Sequence, residues 1–137
     1  MLLQNLNDHV YAWEDLFDGT SLQGWKGDED LWRVEDGVII GEGPEGGPVP
    51  ATRFLWHEKN CDDFVLEVEF RITGGNSGIQ YRSQGLADGR AKGYQADLDA
   101  GHTYTGILYE ASGRAIDAGT LTTSQMSVGA LTNLSWV

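Results

Sequence analysis

Acidic, basic and amide side chains recur at alternate positions in the middle of the chain. Gln80 and Arg82 are followed, after a glycine-containing connection, by Gln95, Asp97 and Asp99. A carboxylate can remove a proton, a guanidinium can stabilise a developing negative charge, and amides can hold hydroxyl groups. These residue types could therefore bind a sugar and carry out acid–base chemistry on it, provided that their side chains converge.

Alternating patterns predict the strands that would position these residues. Segments 77–83 and 91–100 alternate between apolar and polar residues, and segment 63–75 does so most clearly, adding Glu69 and Arg71 to the polar row. The apolar row consists of Phe64, Leu66, Val68, Phe70, Ile72, Ile79, Tyr81, Tyr94, Ala96 and Leu98. If the three strands are neighbours in an antiparallel sheet, the apolar face packs on a core and the polar residues share the other face.

A charged sheet face does not need a function. Solvated faces often carry cross-strand ion pairs that contribute about 0.2–1 kcal/mol each. Here the face mixes acids, bases and amides and lies beside aromatic residues and glycines, which suit stacking and close backbone approach. This mixture favours a ligand-binding face over a merely solvated one.

Other local signals also indicate an all-β protein. The 137 residues suit one domain, and 19 of them are glycines. Leu31–Glu35 and Val38–Ile40 predict the two arms of a hairpin, with Asp36-Gly37 as its tight turn. Gly41, Gly43 and Gly46 match the dinucleotide-binding spacing, but prolines follow where a helix would have to begin, so a nucleotide site is rejected.

Charge and composition restrict the partners. The net charge of −12 leaves no basic stripe for nucleic acid, whereas neutral sugars remain open. No apolar run is long enough for membrane insertion, and the start lacks the features of a signal peptide. The single cysteine, Cys61, allows no intramolecular disulfide. Asp97, Asp99 and His102 are weak candidates for a divalent metal, because their spacing fits no established ion-binding loop.

Five stretches of the sequence resemble the 3-keto-disaccharide hydrolase domain family. They are LFDGTSLQGWKG, WRVEDGVIIGEG, DFVLEVEFRI, ITGGNSGIQYRS and KGYQADLDAGHTYTGILYEASGR, and the resemblance runs from about Asp15 to Arg114. The resemblance implies a concanavalin A-like jelly-roll β-sandwich with a concave sugar-binding sheet. It assigns residues 13–116 to the domain and leaves residues 117–137 as an atypical tail.

The chain also departs from this family. Many members have Glu and Gln where this chain has Gln95 and Asp97, so the acid has moved by two positions on the same face. Members continue after the segment corresponding to Arg114 with further strands, which the tail does not resemble. We therefore expect a domain truncated at its C-terminal end. Members are often exported or periplasmic, although this start carries no export signal.

The resemblance implies an enzyme that acts on 3-keto glycosides. A base would remove the acidified C2 proton, the group at C1 would leave, and water would add. The implied catalytic residues are Asp97 or Glu69 as base and Arg82 as the enolate stabiliser, aided by Arg71 or a metal. The implied substrate-binding residues are Gln80, Gln95, Arg71 and Tyr109, with Glu110 as a further residue for the rim.

Three alternatives remain open at this point. The domain could be a lectin-like carbohydrate-binding module without chemistry. It could be an ordinary two-carboxylate glycosidase, for which Glu67 and Glu69 share a predicted face. The chain could also be inactive, because it lacks the strands expected at its end.

Overall fold

The computed structural model describes residues 1–5, 12–47, 52–114 and 135–136. Within them the chain forms β-strands and one 3-10 turn, Pro44–Gly46, but no α-helix. The strands are β1 Leu2–Asn5, β2 Trp13–Asp15, β3 Trp25–Lys26, β4 Trp32–Glu35, β5 Val38–Gly41, β6 Leu55–His57, β7 Phe64–Glu67, β8 Asn76–Gly85, β9 Ala91–Asp99, β10 Leu108–Ala111 and β11 Ser135–Trp136. Every strand pairing is antiparallel, which confirms the predicted all-β class. No helix in this part of the chain is long and apolar enough to cross a membrane.

The strands form two sheets and a separate hairpin. One sheet has the order β2-β1-β7, the other has the order β10-β9-β8-β11-β6-β3, and β4 pairs with β5. The two sheets share a core, because one buried cluster takes side chains from both of them. Its members are Leu3, Leu16, Trp25, Leu55, Cys61, Phe64, Ile79 and Ala96.

The predicted hairpin is confirmed. Glu35 pairs with Val38, so the strands are joined by a two-residue turn. Both turn residues have positive φ, 51° at Asp36 and 76° at Gly37. This geometry matches the right-handed twist of the strands, and an Asp-Gly pair adopts it readily.

The strand predicted in segment 63–75 is shorter than expected and lies in the other sheet. β7 ends at Glu67 and pairs with β1, where Leu3 faces Leu66. Residues 68–73 belong to no strand. The condition that this strand neighbours β8 is therefore not met. Its alternation identified the buried face correctly at Phe64, but alternation does not determine the partner strand.

The tail lies mostly outside the described residues. The predicted boundary at residue 116 and residues 115–134 as a whole belong to that part. The described pair Ser135–Trp136 forms β11, whose backbone pairs with both β6 and β8. The division into residues 13–116 and 117–137 stays a prediction.

Candidate functional site

Two glutamines meet at the centre of the six-stranded sheet. Gln80 on β8 is directly opposite Gln95 on β9, so both side chains lie on the same face. Gln80 Nε2 donates a hydrogen bond to Gln95 Oε1 at 2.7 Å. Each amide therefore has a defined orientation.

Asp97 extends this contact along β9. It lies two residues beyond Gln95 and hence on the same face. Gln95 Nε2 donates to one carboxylate oxygen of Asp97, and Asn76 Nδ2 donates to the other at 3.0 Å. Both carboxylate oxygens thus accept hydrogen bonds from side-chain amides.

A β-bulge completes the arrangement at the other end. The register of β8 against β9 shifts between Tyr81 and Gln84, and Arg82 has a positive φ of 47°. Ser83 Oγ consequently donates to Gln80 Oε1 at 2.8 Å. We call the residues Asn76, Gln80, Ser83, Gln95 and Asp97 the amide–carboxylate network.

Four of the five network residues are buried, which corrects the expectation of a solvated face, and Asn76 is exposed at the start of β8. Gln80 is 1% exposed and Asp97 is 7% exposed, and Ser83 and Gln95 are buried as well. Alternation separates the two faces of a strand but does not reveal whether something covers the second face. Buried polar groups are costly unless hydrogen-bonded, and the amides and the carboxylate satisfy one another here.

The remaining predicted site residues lie in different places. Tyr109 on β10 is directly opposite Gln95, on the network's face, and is 39% exposed. Arg82 is exposed in the bulge. The position beside Gln80 that was expected for Arg82 is occupied by Ser83. Glu69 and Arg71 are exposed and follow β7, so the sheet register does not bring them to the network. The catalytic and binding roles of all these residues stay predictions.

Glu110 forms a contact of its own. Arg114 Nε donates to Glu110 Oε2 at 2.9 Å, and this ion pair lowers the pKa of the Glu110 carboxyl. Glu110 pairs with Tyr94 across the strands, so it faces away from Gln95. It therefore does not join Tyr109 at the edge of the network.

The suggested metal ligands are not grouped. Asp99 Oδ2 accepts hydrogen bonds from the backbone N–H groups of Thr103 at 2.9 Å and Tyr104 at 3.4 Å, which lower its pKa. This carboxylate thus organises the turn after β9. In the described ranges no three His, Cys, Asp or Glu side chains come together in a group that could hold a metal ion. Asp97, Asp99 and His102 therefore do not fit a divalent ion as a set.

Trp56 was not among the residues predicted for the site. Ser135 pairs with Gln80 on one side and with Trp56 on the other, so Trp56 lies on the network's face. Its ring reaches Gly85 on β8, where an added Cβ would lie 3.7 Å from it. Trp56 lies between the buried Leu55 and the half-buried His57 in β6. This short segment was the available signal for a side chain on the network's face.

Together these residues form a row across the sheet. An aromatic side chain lies on each side of the buried network, with Tyr109 two strands from Gln80 in one direction and Trp56 two strands in the other. Amides between aromatic rings can hold sugar hydroxyls while the rings stack on the apolar sugar faces.

The chain matches a family model described as a 3-keto-alpha-glucoside-1,2-lyase-like domain over residues 12–130. The matched range contains all five residues of the network, together with Trp56 and Tyr109. No curated protein and no solved structure matches the chain significantly.

Proposed function

The chain belongs to the family of 3-keto-alpha-glucoside-1,2-lyase-like domains, and we propose that it cleaves the glycosidic bond of sugars that carry a ketone at C3. Such a ketone makes the hydrogen at C2 acidic, so one positioned carboxylate is enough to start the reaction. The observation that carries the proposal is the fixed placement of Asp97 among the network amides.

Asp97 acts as the base in the proposed reaction. It removes the C2 proton, and the electron pair forms an enolate with the C3 oxygen. The C1–O bond then breaks, and the departing oxygen receives the proton that Asp97 took up. Water adds across the resulting C1=C2 bond, with its hydroxyl at C1 and its hydrogen at C2, so that the net reaction is hydrolysis.

The other residues bind the sugar and stabilise the enolate. Gln80 and Gln95 hold sugar hydroxyls, Tyr109 contacts the exposed side of the sugar, and Arg82 stabilises the enolate oxygen. Because Asp97 is 7% exposed, the substrate reaches it only when the groups that cover this face move. The proposed mechanism does not use Glu69 and Arg71, which follow β7 and belong to no strand.

The finer fold assignment is part of the same proposal. We assign the two sheets to a concanavalin A-like jelly roll in which the six-stranded sheet carries the sugar. Two antiparallel sheets that share one core support this assignment.

One observation favours a second function, a lectin-like module without chemistry. Both oxygens of Asp97 already accept hydrogen bonds from amides, which is also what a purely structural carboxylate would do. In that case the face binds sugar through Tyr109 and Trp56, and Asp97 only fixes the amides.

The substitution Asp97→Asn separates the two functions, because it keeps the side chain's shape and removes the base. An enzyme should lose turnover of a 3-keto-glucoside by about 10²–10⁴-fold and still bind the sugar. Asp88→Asn, on an exposed loop where Asp88 pairs with Arg90, is the matched control and should keep full turnover. Wild-type turnover by Asp97→Asn would refute the proposed base, and sugar binding without turnover by the unmodified chain would establish the lectin-like function.

A further inference from the structure

A cleft of about 530 Å³ opens at the edge of the six-stranded sheet, well away from the network. Its volume lies within the range of small-molecule sites. It is lined by Thr20, Ser21, Leu22, Trp25, Lys26, Gly27, Asp28, Glu29, Trp32, Val34 and Leu55. β3, which borders the cleft, is separated from β8 by β6 and β11, or about 14 Å at the usual strand spacing.

One wall of the cleft is preformed. The Asp18 carboxylate accepts hydrogen bonds from the N–H of Thr20 at 2.7 Å, the N–H of Ser21 at 2.6 Å and the Ser21 hydroxyl at 2.5 Å. Trp25 Nε1 donates to the carbonyl oxygen of Leu16 at 2.9 Å. These contacts hold the loop before β3 in place, so a ligand would not have to order it.

Trp32 supplies a hydrogen-bond donor that the protein does not use. Its six-membered ring lies against Gly41, where an added Cβ would be 2.7 Å from Cη2. Its Cδ1 faces Gly27 in the cleft wall, at 3.0 Å from an added Cβ. The adjacent Nε1 is buried and, among the described residues, is the one buried side-chain polar atom without a hydrogen-bond partner. Such a donor is costly unless something accepts from it.

The charges around the cleft restrict which kind of ligand could accept a hydrogen bond from Trp32. Asp28 and Glu29 are acidic, and the nearby Lys26 is already paired with Glu58 at 2.9 Å. An anion would therefore be repelled. The ligand must offer an uncharged oxygen to Trp32, hydroxyl donors to the carboxylates, and apolar surface to Leu22 and Leu55.

We propose that this cleft is a second binding site, for an uncharged pyranose whose oxygen accepts a hydrogen bond from Trp32 Nε1. A pyranose has hydroxyl groups that both donate and accept, and it also has apolar C–H faces. The site holds sugar without chemistry, because the residues of the network are several strands away. It does not depend on the catalytic role of Asp97.

The test follows the indole N–H signals of the full chain by NMR during titration with glucose. Trp32→Phe identifies the Trp32 signal by its loss. Glucose should shift this signal saturably, in the wild type and equally in Asp97→Asn, while the exposed Trp13 signal stays still. Glucuronate should bind more weakly than glucose because of its charge.

Trp32→Phe should bind glucose about fivefold to tenfold more weakly than the wild type. Trp13→Phe, at an exposed position, should bind like the wild type. An unmoved Trp32 signal, or equal affinity in Trp32→Phe, would overturn the proposal. So would binding that disappears in Asp97→Asn and persists in Trp32→Phe, since the sugar would then occupy the network alone.

Discussion

Gln95 and Asp97 lie two residues apart on β9, and their side chains are joined by a hydrogen bond from Gln95 Nε2 to Asp97 Oδ1. Gln95 Oε1 accepts from Gln80 at the same time. The two ends of one amide are therefore committed to two different partners. Gln95 cannot rotate its amide without breaking both contacts, and it links the carboxylate to the neighbouring strand.

Replacing Gln95 should cost more stability than its own burial suggests. Gln95→Leu leaves the buried Gln80 amide without its acceptor and Asp97 without one of its two donors. Because unsatisfied buried groups cost about 1–3 kcal/mol each, the free energy of unfolding should fall by about 2–5 kcal/mol. Urea denaturation measures this loss.

The matched control for Gln95 is Gln84→Leu, at an exposed position on β8. Its unfolding free energy should change by no more than about 0.5 kcal/mol. Equal values for the two variants would show that the network contributes nothing to stability.

Gly93 should tolerate no side chain. Its φ is 151°, and an added Cβ would lie 2.6 Å from both the Cα of Ser83 and the carbonyl oxygen of Arg82. These are backbone atoms of the bulge, so they cannot move aside as a flexible side chain would. Gly93→Ala should lower the free energy of unfolding by about 3 kcal/mol or more in urea denaturation.

Gly74 provides the comparison for Gly93. A Cβ at Gly74 meets no atom within 4 Å, so Gly74→Ala should leave the unfolding free energy almost unchanged. A small loss for Gly93→Ala, similar to that of Gly74→Ala, would mean that the bulge relaxes and that Ser83 is not held beside Gln80.

Local patterns predicted several of the strands, whereas distant contacts determined their arrangement. The Asp36-Gly37 turn and the alternation in β9 depend on neighbouring residues, so the sequence was sufficient for both. The partner of β7 is set far away in the chain, where Leu3 pairs with Leu66, and alternation contains no information about it.

The site was predictable to a similar extent. Gln80, Gln95 and Asp97 share a face because of strand periodicity, and the structure brings them together. The bulge that brings Ser83, and not Arg82, beside Gln80 has no clear signal in the sequence. It depends on the register in which β8 pairs with β9. The burial of the network also depends on what covers the sheet.

Stability should depend on pH through Asp18. Its carboxylate accepts a hydrogen bond from the Ser21 hydroxyl and others from the N–H groups of Thr20 and Ser21, which lower its pKa from 3.8 to about 2. The folded state thus favours the charged form, and the stabilisation is present above pH 3.8 and is lost as the pH falls through about 2. Asp18→Ala should therefore be less stable than the wild type at pH 7.

This difference in unfolding free energy should narrow as the pH falls from 3.8 towards 2. Urea denaturation of both proteins over this range measures it, and NMR titration of the Asp18 carboxyl checks the pKa directly. If the difference in unfolding free energy between the two proteins were the same at every pH, the effect of Asp18→Ala would come from the backbone of the turn and not from the charge of Asp18.

The proposed function predicts that Trp56 contributes to substrate binding and not to the chemical step. It lies on the network's face two strands from Gln80, too far along the row to contact the atoms that react at Asp97. Loss of stacking on a second sugar unit should raise KM for a 3-keto disaccharide about fivefold to tenfold in Trp56→Ala, with kcat preserved. Trp56→Phe should give an intermediate KM, and Trp13→Ala, at an exposed tryptophan of the other sheet, should behave like the wild type. Steady-state kinetics of the four proteins test this, and a fall in kcat at constant KM would place Trp56 in the chemical step instead.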